Sequence, residues 1–260
     1  VENNILNIIV KEYPLIQTIN YNGIKSNTIL EKITADKLLN DKSPYNLFSL
    51  KNEKDRILYK IKDLGYYNAS LETSVETLDE NLVTINFDII LGDKAKIKKI
   101  TFIGNKVFKD NKLKRLIASS EYKFWKIISG RKYLNQNSVL LDERLLKNFY
   151  KNSGYYNVKI NSSFAKLIDE NNFELIFNIN PGTKISFGNL NLNLPSDFDE
   201  KNFVSIKKLF KKIEGEPYSI NKIDKILDEI DAITEIEQYK FVKASVIEDL
   251  KPNQINLEFV

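Results

Sequence analysis

The chain has 260 residues, 42% of them apolar, and its 39 basic and 35 acidic side chains leave a net charge of +4. That content supports globular structure, and so balanced a surface argues against a partner recognised through phosphate charge. With no cysteine, methionine or histidine, thiol nucleophiles, disulfides, His-based triads, haem ligation by His or Met and nearly every zinc site are excluded, and no cofactor is expected.

Residues 1–12 read as a strand, with Leu6, Ile8 and Val10 alternating against Asn7 and Lys11. Val260 falls inside another strand, so both ends are expected to cut through a longer protein. In 13–92, a short extended run from Leu15 to Tyr21 ends at the turn signal Asn22-Gly23. Asn27 or Thr28 is expected to cap a helix with Ile29, Leu30 and Ile33 on one face, broken by Ser43-Pro44-Tyr45. A second helix carries Leu50, Ile57, Leu58, Ile61 and Leu64, and Gly65 supplies its left-handed stop. A strand with Ala69, Leu71 and Val75 inward follows, then a turn at Asp79-Glu80-Asn81. A last strand, with Val83, Ile85, Phe87 and Ile89 inward, completes the order β-α-α-β-β.

The order returns in 93–182. Residues 97–103 form the strand, Gly104-Asn105 the turn, and Leu113, Leu116 and Ile117 mark the first helix. Leu141, Leu145, Leu146 and Phe149 mark the second helix; Val158, Ile160 and Phe164 point inward from the next strand, and Phe173, Leu175, Phe177 and Ile179 from the last. A third round fills 183–260. It has a strand at 187–192, helices marked by Phe203, Ile206, Leu209, Phe210 and Ile213 and by Ile223, Ile226, Leu227, Ile230 and Ile233, then a hairpin. The hairpin carries Val242, Ala244 and Val246 and returns through Ile255, Leu257 and Phe259.

Gly65-Tyr66-Tyr67-Asn68-Ala69 and Gly154-Tyr155-Tyr156-Asn157-Val158 lie 89 positions apart, and Gln238-Tyr239-Lys240-Phe241-Val242 is a weaker copy. Tyr45 to Tyr66 and Tyr218 to Tyr239 both span 21 positions. A period of roughly 85 residues exceeds that of the common solenoids, so each copy is expected to be a small domain with its own core. Strict alternation makes each three-stranded sheet apolar on one face, which the two helices cover in an α+β sandwich. No run reaches the ~18–20 apolar residues of a bilayer span, so the piece is expected to be soluble. So small a sheet leaves unpaired N–H and C=O groups at its edges, where a partner can add a strand. An array of this kind reads as a binding scaffold and not as an enzyme.

Tandem β-α-α-β-β units with Gly-Tyr leading into the second strand resemble the POTRA (polypeptide-transport-associated) domains of the Omp85 outer-membrane assembly superfamily. Val10-Lys11-Glu12-Tyr13-Pro14-Leu15-Ile16 is similar to that family's junction between its first two units. Phe124-Trp125-Lys126-Ile127-Ile128-Ser129-Gly130-Arg131-Lys132-Tyr133 resembles the inter-helix segment of its third unit, and Phe149-Tyr150-Lys151-Asn152-Ser153-Gly154-Tyr155 the end of that unit's second helix. The resemblance implies that 1–12 is the last strand of unit one, 13–92 unit two, 93–182 unit three, and 183–260 unit four, truncated at its C-terminal end. It further implies a non-enzymatic periplasmic scaffold, attached to the outer membrane through a C-terminal barrel. Such a scaffold binds unfolded outer-membrane β-barrel precursors and accessory assembly lipoproteins by β-strand addition. The related translocation and channel branches carry fewer units. A KH-like nucleic-acid-binding array, the alternative outside the superfamily, needs a Gly-x-x-Gly clamp that is missing here, so no nucleic acid is expected.

The resemblance places a docking edge on Tyr156, Asn157, Val158, Lys159, Ile160, Asn161 and Ser162, with Asn157, Lys159, Asn161 and Ser163 facing out. The plainer reading is a solvated edge kept soluble by Lys and Asn. Phe124, Trp125 and Tyr133 lie in an insertion relative to the first unit and are candidate interface anchors, although such aromatics more often pack on their own helices. Gly92, Asp93, Pro181 and Gly182 are candidate hinges, with limited bending expected at the first pair and more rigidity at the second. Asp224, Asp228 and Asp231 share a helix face with Lys225 nearby and read as a solvated face. Lys207-Lys208-Leu209-Phe210-Lys211-Lys212 places its apolar residues at core spacing, as an amphipathic helix does.

Overall fold

Period-two alternation becomes a three-stranded sheet three times over. The computed structural model describes residues 12–104, 107–123, 130–237, 239 and 243–260; the strand expected over 1–12 lies, apart from Glu12, outside them. The first sheet has the order β1 (Leu15–Asn22), β3 (Leu82–Ile90), β2 (Ser70–Leu78). The second is β4 (Lys96–Ile103), β6 (Asn172–Asn180), β5 (Lys159–Asp169), and the third β7 (Ser186–Leu192), β9 (Gln254–Phe259), β8 (Val246–Lys251). Edge strand β1 runs parallel to the central β3, as β7 does to β9, because two helices carry the chain across to the far edge and the hairpin returns it beside the first strand. The hairpin partners β2–β3 and β8–β9 are antiparallel.

The helices are α1 (Asn27–Thr34) and α2 (Leu47–Asp63), α3 (Asp110–Leu116) and α4 (Gln136–Lys151), α5 (Val204–Ile213) and α6 (Ile220–Ile236). Ile33, Ile57 and Ile61 of the first pair share one core with Ile16, Leu71, Val83, Ile85, Phe87 and Ile89. Each such side chain, fully buried, contributes about 1.5–3 kcal/mol. On the other face of that sheet Asn20 donates to Asn86 at 2.8 Å and Asn22 to Asp88 at 2.8 Å, a polar surface suited to water. The third module repeats the plan, with Phe203, Ile206, Phe210, Ile223, Ile226 and Ile230 over Phe187, Ile255, Leu257 and Phe259.

Four local readings need correction. Asn27 and Thr28 stand inside α1, and Ser26 is its N-cap without a side-chain bond. That helix ends at Thr34, whose hydroxyl turns back onto the Leu30 carbonyl at 2.8 Å. Ser43-Pro44-Tyr45 instead forms a short extended piece beside β1, with the Tyr45 N–H donating to Pro14 at 2.8 Å and a bridge between Leu15 and Pro44. In α4 the buried stripe is Asp142, Leu146 and Tyr150, while Leu141 is exposed. Phe164 is also exposed, because the inward position on β5 goes to Ser163, which donates to Glu143.

The Asp142 correction exposes a shared device. Glu53 and Asp142 both stand twelve positions before the glycine that stops their helix, and both are completely buried. Glu53 accepts from the Leu38 N–H at 2.8 Å and pairs with Arg56 at 2.6 Å. Asp142 accepts from the N–H groups of Ala118 at 2.6 Å and Ser119 at 3.1 Å. Each carboxylate satisfies backbone donors left where the segment after the first helix turns. Burial pushes the Asp142 carboxyl above the usual range. The third module has Ile226 at this position, also fully buried.

The described residues group into two compact units that do not follow the repeat boundaries. One takes those up to 98 with those of 121–137 and 167–173; the other takes those of 99–120, 138–166 and 174–260. One module junction therefore lies wholly inside each unit.

Candidate partner-binding edge and module junctions

In the sheet order β4-β6-β5, β5 is an edge strand. With 11 residues it outlasts the corresponding edges β2, of 9, and β8, of 6. Its second half presents Phe164, Leu167 and Ile168 at 47%, 53% and 47% exposure, with Lys166 among them. Edge β2 shows Glu72 and Glu76 to solvent with Leu78 at its end, and β8 shows Glu248, Asp249 and Lys251 beside Ile247 and Leu250. Charged side chains blunt an edge; β5 carries them more sparsely than β8, over a longer strand.

The structure divides the seven predicted edge residues. Lys159, Asn161 and Ser162 are exposed on the strand and Ile160 is half-buried. Val158 is buried and precedes the strand, as do Tyr156 and Asn157. Tyr156 is engaged: its ring meets Tyr218 edge-on at 5.1 Å, and its hydroxyl donates to Glu248 at 2.7 Å. That hydrogen bond, then burial, pushes its phenol above the ordinary value. The open rim therefore starts at Lys159 and runs further along the chain than expected. Sequence reading missed Leu167 and Ile168, an apolar pair just past the strand it read as an edge.

The first junction, inside one compact unit, is built mostly from polar side chains, with the Tyr67 ring 6.2 Å from Phe173 beside them. The Ala95 N–H donates to Gly65 at 2.8 Å, and Gly65 has φ +94° in the left-handed region. Asp63 receives Asn135 at 2.9 Å and Asn137 at 2.7 Å. Asn68 donates to Asn171 at 2.8 Å, and Asn171 to Asp93 at 3.3 Å. The Lys94 ammonium stands 5.1 Å from the rings of both Tyr66 and Tyr133. Burial pushes this ammonium below its usual range. Tyr133, predicted as an anchor, is thereby part of the junction; Phe124 and Trp125 lie outside the described residues.

The second junction, inside the other unit, repeats the main-chain plan with aromatic fill. The Ile185 N–H donates to Gly154 at 2.8 Å, and Gly154 has φ +97°. Asn152, at the repeat position of Asp63, accepts from Ser219 at 2.8 Å and from the Asn221 N–H at 2.9 Å. Tyr218 is 1% exposed, and Tyr156 packs against the third core beside it. Of the predicted hinges, Gly92 and Gly182 both take positive φ. Each is followed three residues on by the tethered N–H of Ala95 or Ile185. Asp224 and Asp228 are exposed, and Asp231 accepts from the Ala244 N–H at 2.9 Å, so the three carboxylates do not converge on a shared site.

A family model described as "Surface antigen variable number repeat", POTRA, matches residues 95–182. Those residues are a POTRA unit. The same strand order recurs before and after it, so the chain has the fold of tandem POTRA units. The outer membrane protein assembly factor BamA of Neorickettsia risticii is 23% identical over 224 residues, covering 84% of this chain and 29% of that protein. The same-named factor of Neisseria meningitidis is 25% identical over 224 residues, covering 85% and 28%. The crystal structure of Haemophilus influenzae BamA POTRA3-5 shares the fold, with a TM-score of 0.51, 14% identity and 95% of each chain covered. The chain spans less than a third of the length of these two assembly factors. In sequence and fold the chain is similar to the POTRA regions of BamA outer-membrane assembly factors.

Proposed function

We propose that these POTRA units, the second to fourth of their parent, form a non-enzymatic periplasmic scaffold. They hold unfolded outer-membrane β-barrel precursors and dock accessory assembly lipoproteins by strand addition, delivering clients to a C-terminal barrel. The observation that carries the reading is the outer rim of β5, an edge strand with Phe164, Leu167 and Ile168 exposed. Strand addition relies on main-chain hydrogen bonds, which suits clients that share little sequence. Each bond contributes about 0.5–1.5 kcal/mol net, so a few of them give reversible capture, as a hand-off requires.

The test is site-specific photocrosslinking in the full-length protein from Lys159, Asn161 and Ala165 on β5. The reading expects crosslinks to barrel precursors or to an assembly lipoprotein from at least one of them, and none from Ser74 on β2. Absence of crosslinks at all three β5 positions in a protein that still supports assembly would overturn it.

A further inference from the structure

Each sheet has two edges, and the chain itself partly closes the one made by the first strand. On β7 the Phe187 N–H donates to Glu216 at 2.9 Å and its carbonyl receives the Gly215 N–H at 2.9 Å; Ile16 on β1 is held in the same way by Ser43 and Lys42. The hairpin strands β2, β5 and β8 form the opposite edges. What such a rim accepts is decided by the side chains that come to stand opposite one another across it. A strand that pairs antiparallel with its own copy reflects its residues through a two-fold axis, and outward-facing main-chain groups must meet outward-facing ones.

Applied to the whole of β5, that operation puts the axis on Phe164. Phe164 then faces its own copy, Ile160 faces Ile168 on both sides of the axis, and Lys159 faces Asp169 at both ends. Lys166, the one other charged residue of the strand, faces Ser162, so no like charges stand opposite. By strand alternation the phenylalanine and isoleucine pairs share one face and the ion pairs lie on the other. The other hairpin edges fail the same operation. Pairing the whole of β2 sets Glu72 opposite Glu76 twice. The two longest registers of β8 centre Glu248 or Asp249 on its own copy, and Glu248 already receives the Tyr156 hydroxyl at 2.7 Å. Like charges directly opposite destabilise a sheet, whereas opposite charges and aromatic or aliphatic pairs stabilise it.

We infer that a second copy of this chain docks on β5, antiparallel about Phe164, and joins two three-stranded sheets into one of six strands. Charge complementarity selects this occupant: a strand with lysine at one end and aspartate at the other matches itself when reversed. Phe164 and Ile168, each 47% exposed, are covered in the pairing. The inference shares the open edge of the client reading but not the clients, and a client strand and a second copy exclude one another on that rim.

The chain has no cysteine, so a single introduced one reports its own surroundings. Under mild oxidation Phe164→Cys should give a disulfide-linked dimer, because that residue faces itself. Lys159→Cys and Asp169→Cys should not link when alone but should link to each other when mixed, and Ser74→Cys on β2 is the control that should stay monomeric. Sedimentation equilibrium of the 260-residue chain should show the mass rising from one copy to two with concentration. Lys159→Glu or Asp169→Lys alone should weaken that association about fivefold, and the two together should restore it, since the pair is reversed and not removed. A chain that stays monomeric at every concentration, linking at position 159 as strong as at 164, or a double variant weaker than either single one would overturn the inference. Crosslinks to barrel precursors in the full-length protein are read separately, so failure of either reading leaves the other standing.

Discussion

The two junctions share a main-chain frame and differ in what fills it. Around Gly65 the filling is carboxylate, amide and a lysine between two tyrosines. Around Gly154 it is Tyr156 laid against buried Tyr218, itself 5.7 Å from Phe187 in the third core. Polar side-chain bonds at a wet surface each return little net free energy, whereas an edge-on aromatic pair anchored in a core contributes more. One repeat position can therefore serve a looser or a tighter coupling without any change in backbone plan.

The largest expected effect is on the aromatic junction. Tyr218→Ala removes a fully buried ring and should cost about 3–5 kcal/mol in urea unfolding of that compact unit. Tyr156→Ala removes the edge-on contact and the bond to Glu248 and should cost about 2 kcal/mol, while Tyr67→Ala, whose ring meets Phe173 at 6.2 Å, should cost less. Equal losses from Tyr156 and Tyr67 would erase the contrast. Asp63→Ala should cost about 1 kcal/mol and speed hydrogen exchange near Asn135 and Asn137, leaving residues 217–221 unaffected.

The smallest effect is one of pH. Burial raises the Asp142 carboxyl pKa in the folded state, so the stability it contributes is present in acid and is lost as pH rises through the folded value. Asp142→Asn should therefore gain on the parent between acid and neutral pH in paired urea melts. A gap that stays constant across that range would contradict this sign.

Much of the plan was legible in the residues. Val83, Ile85, Phe87 and Ile89 alternate so strictly that their burial at 2% or less follows from period alone. Gly65 announced its left-handed stop, and Gly154, its repeat counterpart, takes the same conformation. What sequence hid was the polar exception: a buried Asp142 in a helix whose leucines offered a neighbouring stripe, and a half-buried Ser163 bonded to Glu143 beside an exposed Phe164. Such choices depend on a partner across the fold, here the Ala118 and Ser119 N–H groups and Glu143, and no local pattern names that partner. The junction residues were readable in principle, since Asp63 and Asn152, and Asn81, Asn171 and Asn253, recur in phase with the repeat.

The claim that β5 is an open rim for added strands is tested most directly by titrating the chain with a barrel-strand peptide of about ten residues while following backbone amides by NMR. The account predicts shifts and slowed exchange along Lys159–Asp169, with the amides of Leu82–Ile90 unmoved. Shifts that avoid β5, or that spread equally over all three sheets, would contradict it.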